Sequence, residues 1–203
     1  MTYTVHEMFL TQQGEGANLG RTAVFIRFAG CNLWSGREQD RSTASCQFCD
    51  TEFLGGRRMD AADILREALA LWRGGADRFC VLTGGEPLLQ ADAVLIAALR
   101  GAFTIAVETN GTLPVPNGID WVCVSPKAGA RLVLRRADEL KLVYPQDGLG
   151  PSDLSDFKAT HRWLSPMDAL GRTAANTAAA VAYCLDHPEW RLAIQAHKHW
   201  SVR

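Results

Sequence analysis

The chain has 203 residues, 47% of them hydrophobic and 21% charged, enough for one substantial core and ordinary for a water-soluble globular protein. Lys and Arg total 21 against 22 Asp and Glu, a net charge of -1, which argues against a nucleic acid or membrane surface as partner and favours a small neutral or anionic ligand. Met1 to Leu10 lacks a basic stretch leading into an apolar run, and no uncharged apolar span of membrane length follows, so the cytosol is the expected compartment.

The first clear element is Thr22 to Phe28 (TAVFIRF), β-branched and aromatic enough for a strand, which ends at Ala29-Gly30 just before Cys31. From Asp60 to Trp72 the residues Ile64, Leu65, Ala68, Leu69 and Trp72 recur at helical spacing, with an Asp at the start and Gly74-Gly75 past the end. Arg78 to Leu82 reads as a buried strand, Asp92 to Arg100 as a helix and Phe103 to Val107 as a strand. Asp120 to Val124, Glu139 to Val143 and Arg191 to Ile194 continue the strands, while Thr173 to Leu185 is an Ala-rich helix. This β-α-β rhythm implies a parallel sheet.

Around seven strands fall short of an eight-fold barrel, which needs about 250 residues. The fold class expected is therefore α/β, an incomplete TIM-like barrel with few helices. No repeat, low-complexity linker or composition shift marks a boundary, and Leu113 to Gly118 is only a Pro-rich turn, so residues 1–203 read as a single domain. The unusual residues cluster after strands: Gly30-Cys31, Thr83 to Pro87 (TGGEP), Glu108 to Gly111 (ETNG) and Ser125 to Lys127 (SPK). In parallel α/β sheets those carboxyl ends converge on one rim, so four loops should meet over a single pocket.

Within residues 30–51, Cys31 is followed after fourteen residues by Cys46, and after two more by Cys49, with no fourth cysteine nearby. Three ligands leave one position of a metal centre open. A zinc ribbon needs a fourth ligand, and His6, His161, His187, His197 and His199 all lie outside the loop. A disulfide is disfavoured in a cytosolic chain, and Cys80, Cys123 and Cys184 sit among apolar neighbours as core residues.

FIRFAGCNL at 25 to 33, CQFC at 46 to 49 and TGGEP resemble the radical S-adenosylmethionine superfamily; QQGEG at 12 to 16, CDT at 49 to 51, ETNG, SPK and IQAHK at 194 to 198 narrow this to the 7-carboxy-7-deazaguanine synthase family. The resemblance implies a 4Fe-4S cluster held by Cys31, Cys46 and Cys49, with S-adenosylmethionine on the unligated iron. Phe28, Leu33 and Phe48 are expected to supply dry, apolar surroundings. Cofactor contacts carried over are Phe48, Asp50, Gly84, Gly85, Ser125, Pro126, Lys127 and the SPMD segment Ser165, Pro166, Met167 and Asp168, where a Gln commonly stands in place of Ser165. The glycines suit close backbone approach, and Ser125 with Lys127 offers a hydroxyl and a cation.

The implied substrate is 6-carboxy-5,6,7,8-tetrahydropterin, contracted by a radical rearrangement with loss of ammonia in queuosine-type deazapurine synthesis. Arg27 suits its carboxylate, with a buried pairing to a Glu as the competing role; Gln12, Gln13 and Gly14 suit the pterin edge. Thr83 joins them, with Glu15, Glu108, His197 and, through its main chain, Arg203 as further contacts. Thr51 corresponds to a Mg2+ position. The resemblance further implies a homodimer and an electron donor such as flavodoxin or ferredoxin. The competing readings are another radical enzyme, such as a glycyl-radical activase, or a non-catalytic iron-sulfur or zinc module.

Overall fold

A computed structural model describes residues 1–200 and residue 202. Nine strands form one sheet in the order β3-β1-β2-β4-β5-β6-β7-β8-β9. In chain order they are β1 (Tyr3–Gln12), β2 (Thr22–Phe28), β3 (Arg57–Met59), β4 (Phe79–Gly84), β5 (Thr104–Thr109), β6 (Trp121–Val124), β7 (Arg136–Tyr144), β8 (Lys158–Pro166) and β9 (Arg191–Leu192). From β2 to β9 every pairing is parallel, whereas β1 runs antiparallel to both β2 and β3. The incomplete barrel of parallel strands expected from the sequence is the fold, with the antiparallel pairings of β1 added at one side.

The expected helices are α1 (Ala61–Leu71), α2 (Ala93–Arg100) and α3 (Thr173–Asp186), and a short α4 (Ala196–Trp200) follows β9. Asp60 and Asp92 cap the first two, each accepting from a main-chain N–H three residues on, at 2.8 and 2.9 Å. That arrangement satisfies a donor with no intrahelical partner. The connections from β5 to β8 carry no α-helix.

Period-two alternation sorts each strand between two environments. On β2, Val24, Ile26 and Phe28 enter the larger core, where Ile64 and Ala68 of α1 and Leu95, Ile96 and Leu99 of α2 cover the sheet. Ala23 and Phe25 face the other way, joining Phe79, Val81, Ala106 and Trp121 in a small cluster inside the barrel. A second covered core joins Leu140, Leu142 and Leu164 to Ala180 of α3 and Trp190. Burying each large aliphatic side chain contributes about 1.5–3 kcal/mol, against about 1 kcal/mol for a typical cap.

Three strands were not foreseen. β1 mixes Thr, His, Glu and Gln among its apolar residues, β3 has three residues, and β8 carries Thr160, His161 and Arg162 in mid-strand. β3 is an edge strand and the inner faces of β1 and β8 line the interior of the barrel, so neither strand shows a continuous apolar run.

Candidate active site

One cavity of about 650 Å3 opens at the carboxyl ends of the parallel strands and descends between them. Its walls include every residue carried over from the resemblance except Phe28, Pro126 and Arg203, the last outside the described residues. Phe28 departs from expectation: it is fully buried in the helix-covered core, because it has the opposite parity to Arg27 on β2. Leu33 and Phe48 do line the cavity, joined by Trp34.

At the mouth stand Cys31, Cys46 and Cys49. Cys31 Sγ accepts from the Leu33 N–H at 3.4 Å. Cys46 donates to Cys49, which draws the Cys49 thiol below its ordinary range against the opposing effect of burial; the amide and hydroxyl of Thr51 donate to Cys49 as well. The same bond, reinforced by burial, pushes Cys46 up. Among the described residues no three Cys, His or acidic side chains are gathered tightly enough to hold a single ion.

The loop carrying these thiols is built around Arg41. Its Nη1 donates to the carbonyls of Gln47 and Cys49 at 2.8 and 2.9 Å, its Nε to Glu38, and its guanidinium lies 4.2 Å from the ring centroid of Trp34. Trp34 in turn meets Phe53 edge-on. The segment between Cys31 and Cys46 is thus not a regular α-helix but a loop with a six-residue 3-10 turn over Glu38–Thr43.

Beneath it the TGGEP glycines allow two main chains to touch. A Cβ on Gly84, whose φ is +142°, would lie 2.2 Å from the Phe28 carbonyl oxygen, and one on Gly85 would lie 2.3 Å from the Gly30 oxygen and 2.7 Å from Cys31 Cβ. Glu86 turns inward, fully buried, and accepts from Thr109 Oγ1 and from the N–H groups of Asn110 and Leu88. Burial raises its carboxyl pKa, and these bonds oppose the rise. Glu86 therefore pins the ETNG loop to the TGGEP loop, a role the sequence reading missed. Asn110 and Thr112 extend the tie to Asn32 beside Cys31.

Lys127 Nζ donates to the carbonyl and hydroxyl of Ser125 at 2.6 and 2.8 Å. Burial lowers its pKa, while the nearby Cys46 and Cys49 favour its charged form. Ser165 is buried at the end of β8, and Asn176 of α3 donates to the Met167 carbonyl to hold the SPMD segment. Lys198 of α4 contacts Asp168 at 2.6 Å and Asp50 at 3.8 Å, so the tail, the SPMD segment and the cysteine loop meet.

Deeper, Arg27 does pair with an acid: its Nε lies 2.9 Å from Glu7 Oε1, with the Phe9 ring alongside and both side chains about four-fifths buried. It lines the cavity nonetheless. Gln13 donates to Glu108 at 3.2 Å, and Gln195 to Glu15 at 2.9 Å. Gly14 accepts from the Ala196 N–H, and a Cβ on it would lie 2.3 Å from His197 Nδ1, so the QQGEG turn and the tail close together. Lys141, Gln195 and Glu7 reach this cavity without having been singled out. Their only signal was inward parity on a strand or proximity to a motif.

This arrangement of thiols, glycine backbone, buried ammonium and paired carboxylates around one cavity can be set beside known proteins. A family model described as the Radical SAM superfamily matches residues 39–140, a span with Cys46 and Cys49 that begins after Cys31. The chain is 54% identical to the 7-carboxy-7-deazaguanine synthases of Bordetella pertussis and Bradyrhizobium diazoefficiens, over the full length of both partners in each case. The crystal structure of QueE from Escherichia coli superposes with a TM-score of 0.70 at 28% identity, covering 97% of this chain and 95% of the other. The chain belongs to the 7-carboxy-7-deazaguanine synthase family of the radical S-adenosylmethionine superfamily.

Proposed function

We infer that this chain is a carbon-nitrogen lyase that converts 6-carboxy-5,6,7,8-tetrahydropterin to 7-carboxy-7-deazaguanine with release of ammonia. The observation that carries the reading is the joining, in one cavity, of a three-thiol mouth to a floor of converging amides and carboxylates. The donor set fits a 4Fe-4S cluster: three sulfurs from one loop, no protein ligand assigned to a fourth iron, and a glycine crossing beside Cys31 that admits no side chain. When bound, the cluster and S-adenosylmethionine supply hydrogen-atom abstraction and return at the substrate carbon.

The chain's own contribution is orientation and shielding. Gly84 and Gly85 present bare backbone to the methionyl group, Ser125 and Lys127 offer a hydroxyl and a cation, and Phe48, Asp50, Pro126 and Ser165 to Asp168 frame the adenosine. Arg27 holds the substrate carboxylate through the guanidinium edge not occupied by Glu7. Gln12, Gln13, Gly14, Thr83, Glu15, Glu108 and His197 read the bicycle, with the main chain of Arg203 completing the set. Thr51 is assigned to Mg2+, whose oxygen preference its hydroxyl suits even while it donates to Cys49. Leu33, Trp34 and Phe48 exclude water near the reacting carbon. A flavodoxin or ferredoxin as reductant, a homodimeric assembly and a cytoplasmic location belong to the same proposal; among the described residues no helix is long and apolar enough to cross a membrane.

The test is anaerobic incubation of the reconstituted protein with the tetrahydropterin, S-adenosylmethionine and a reductant. Formation of 7-carboxy-7-deazaguanine without one-for-one consumption of S-adenosylmethionine is expected. Cys46→Ala should abolish it while circular dichroism stays that of the wild type. Zinc in place of iron, or sustained stoichiometric consumption coupled to product, overturns the reading.

A further inference from the structure

Lys141 belongs to no motif, yet it lines the cavity. Its Nζ lies 2.6 Å from Glu15 Oε2 and 2.9 Å from Glu108 Oε2, and the three side chains are between 12% and 21% exposed. These residues come from the turn after β1, from β5 and from β7, so the contact reaches across β6 and ties the end of β1 to strands three and five places away in the sheet. The second oxygen of each carboxylate is also held, Glu15 Oε1 by Gln195 and Glu108 Oε1 by Gln13, and the Glu108 carboxylate accepts from the Cys123 thiol as well. A carboxylate oxygen has two acceptor directions, so an engaged oxygen keeps one more to offer.

Two carboxylates crowded onto one cation leave the floor with a surplus negative charge. Without that cation they could not both stay ionised, since neighbouring like charges force one to take up a proton. The geometry points to Lys141 as a positioning residue for substrate recognition: between Glu15 and Glu108, it keeps both acceptor-only and aims their remaining acceptor sites at the N–H-rich edge of the pterin. The inference rests on the pterin reading above. Direct contact with the reacting atoms is not part of the role.

The ionisation states agree. Burial opposes the charge on Lys141, but Glu108 and Glu15 hold its pKa well above the ordinary value; burial likewise opposes the charge on Glu15, and Lys141 draws its pKa down. The other groups facing the triad are Cys123 of β6, Lys127, His197 of α4, and Glu139 of β7 with its register partner His161 on β8. Glu139 is committed elsewhere, to Trp121 Nε1 and the Ala17 N–H. Cys123 is fully buried with its pKa raised by burial, so it stays a neutral thiol.

The experiment is equilibrium binding of the tetrahydropterin to anaerobically reconstituted protein holding S-adenosylmethionine, without reductant, from about pH 6 to about pH 8.5. Wild type, Lys141→Met, Lys141→Gln and Lys141→Met/Glu108→Gln are compared, with S-adenosylmethionine binding and circular dichroism as controls for the fold. Wild-type affinity should be flat with pH. Lys141→Met should bind at least about 10-fold more weakly at the acid end and recover affinity as pH rises, because the two carboxylates now share a proton that turns one oxygen into a donor and that alkali removes. Removing one carboxylate in the double variant should restore the flat profile. Unchanged affinity in Lys141→Met, or a loss that is flat with pH and indifferent to Glu108→Gln, overturns the role of Lys141; should Lys141→Met fail to fold, Lys141→Gln decides by the same criteria. If the wild type itself does not bind the pterin, the substrate reading falls instead.

Discussion

Gly85 shows how little tolerance the thiol mouth has. A methyl group there meets the Gly30 oxygen and Cys31 Cβ well inside van der Waals contact, and neither neighbour is the free end of a flexible side chain. Gly85→Ala should therefore destabilise by about 1–3 kcal/mol and displace Cys31, lowering the iron and sulfide retained per chain after reconstitution. Iron content equal to wild type would show that the loop can absorb the methyl. The glycines were legible in the sequence as backbone-approach positions, but Phe28 was not legible as an outward residue until its register on β2 was known. Arg27 and Phe28 are neighbours in the chain and opposite in role, because the strand turns alternate side chains to alternate faces.

The caps of α1 and α2 differ in how much hangs on them. Asp60 accepts the Asp63 N–H, while Asp92 accepts the Leu95 N–H and also Tyr3 Oη at 2.7 Å, linking α2 to the first strand. Asp92→Ala should cost about 1–2 kcal/mol, more than Asp60→Ala, in the urea midpoint; equal losses would mean the Tyr3 bond contributes nothing. These helices were readable because apolar spacing, an N-terminal Asp and terminal glycine or arginine agree. The strands divide otherwise: β4 and β5, apolar on both faces, declare themselves, whereas β8 reads as a polar surface segment. Lys141 was hidden for the same reason. In ELKLV a lysine facing a barrel interior has the same local pattern as one facing solvent, and only the barrel's curvature tells them apart.

Across the molecule, the sheet is open: β3 and β9 are its edges, and among the described residues no strand ladder joins them. The closure near the cavity comes from the QQGEG turn and the tail, through Gly14 with Ala196, Glu15 with Gln195, and Lys141 beneath. Glu15's carboxyl is held below its ordinary value of 4.5 in the folded chain, so its contribution to stability is complete above that pH and is lost as the pH falls through the folded value. The urea midpoint should thus drop on the acid side, and by less in Lys141→Met; an identical acid drop in that variant would place the effect elsewhere. The parallel order of the sheet and the meeting of its rim loops followed from the motifs in chain order, but the tail's approach to the first turn did not, since nothing local links residues so distant in sequence. The fourteen residues between Cys31 and Cys46 have a different independence. Arg41, Trp34, Glu38 and the Ser35–Asp40 bond satisfy one another, and the Ser45 N–H closes the base on the Leu33 carbonyl. Its few outward ties, Arg41 to the carbonyls of Gln47 and Cys49, Trp34 to Phe53, and Asn32 to Asn110 and Thr112, mark what an exchange must keep: an engineer who retains those residues can recast the rest of the segment while the scaffold underneath holds its shape.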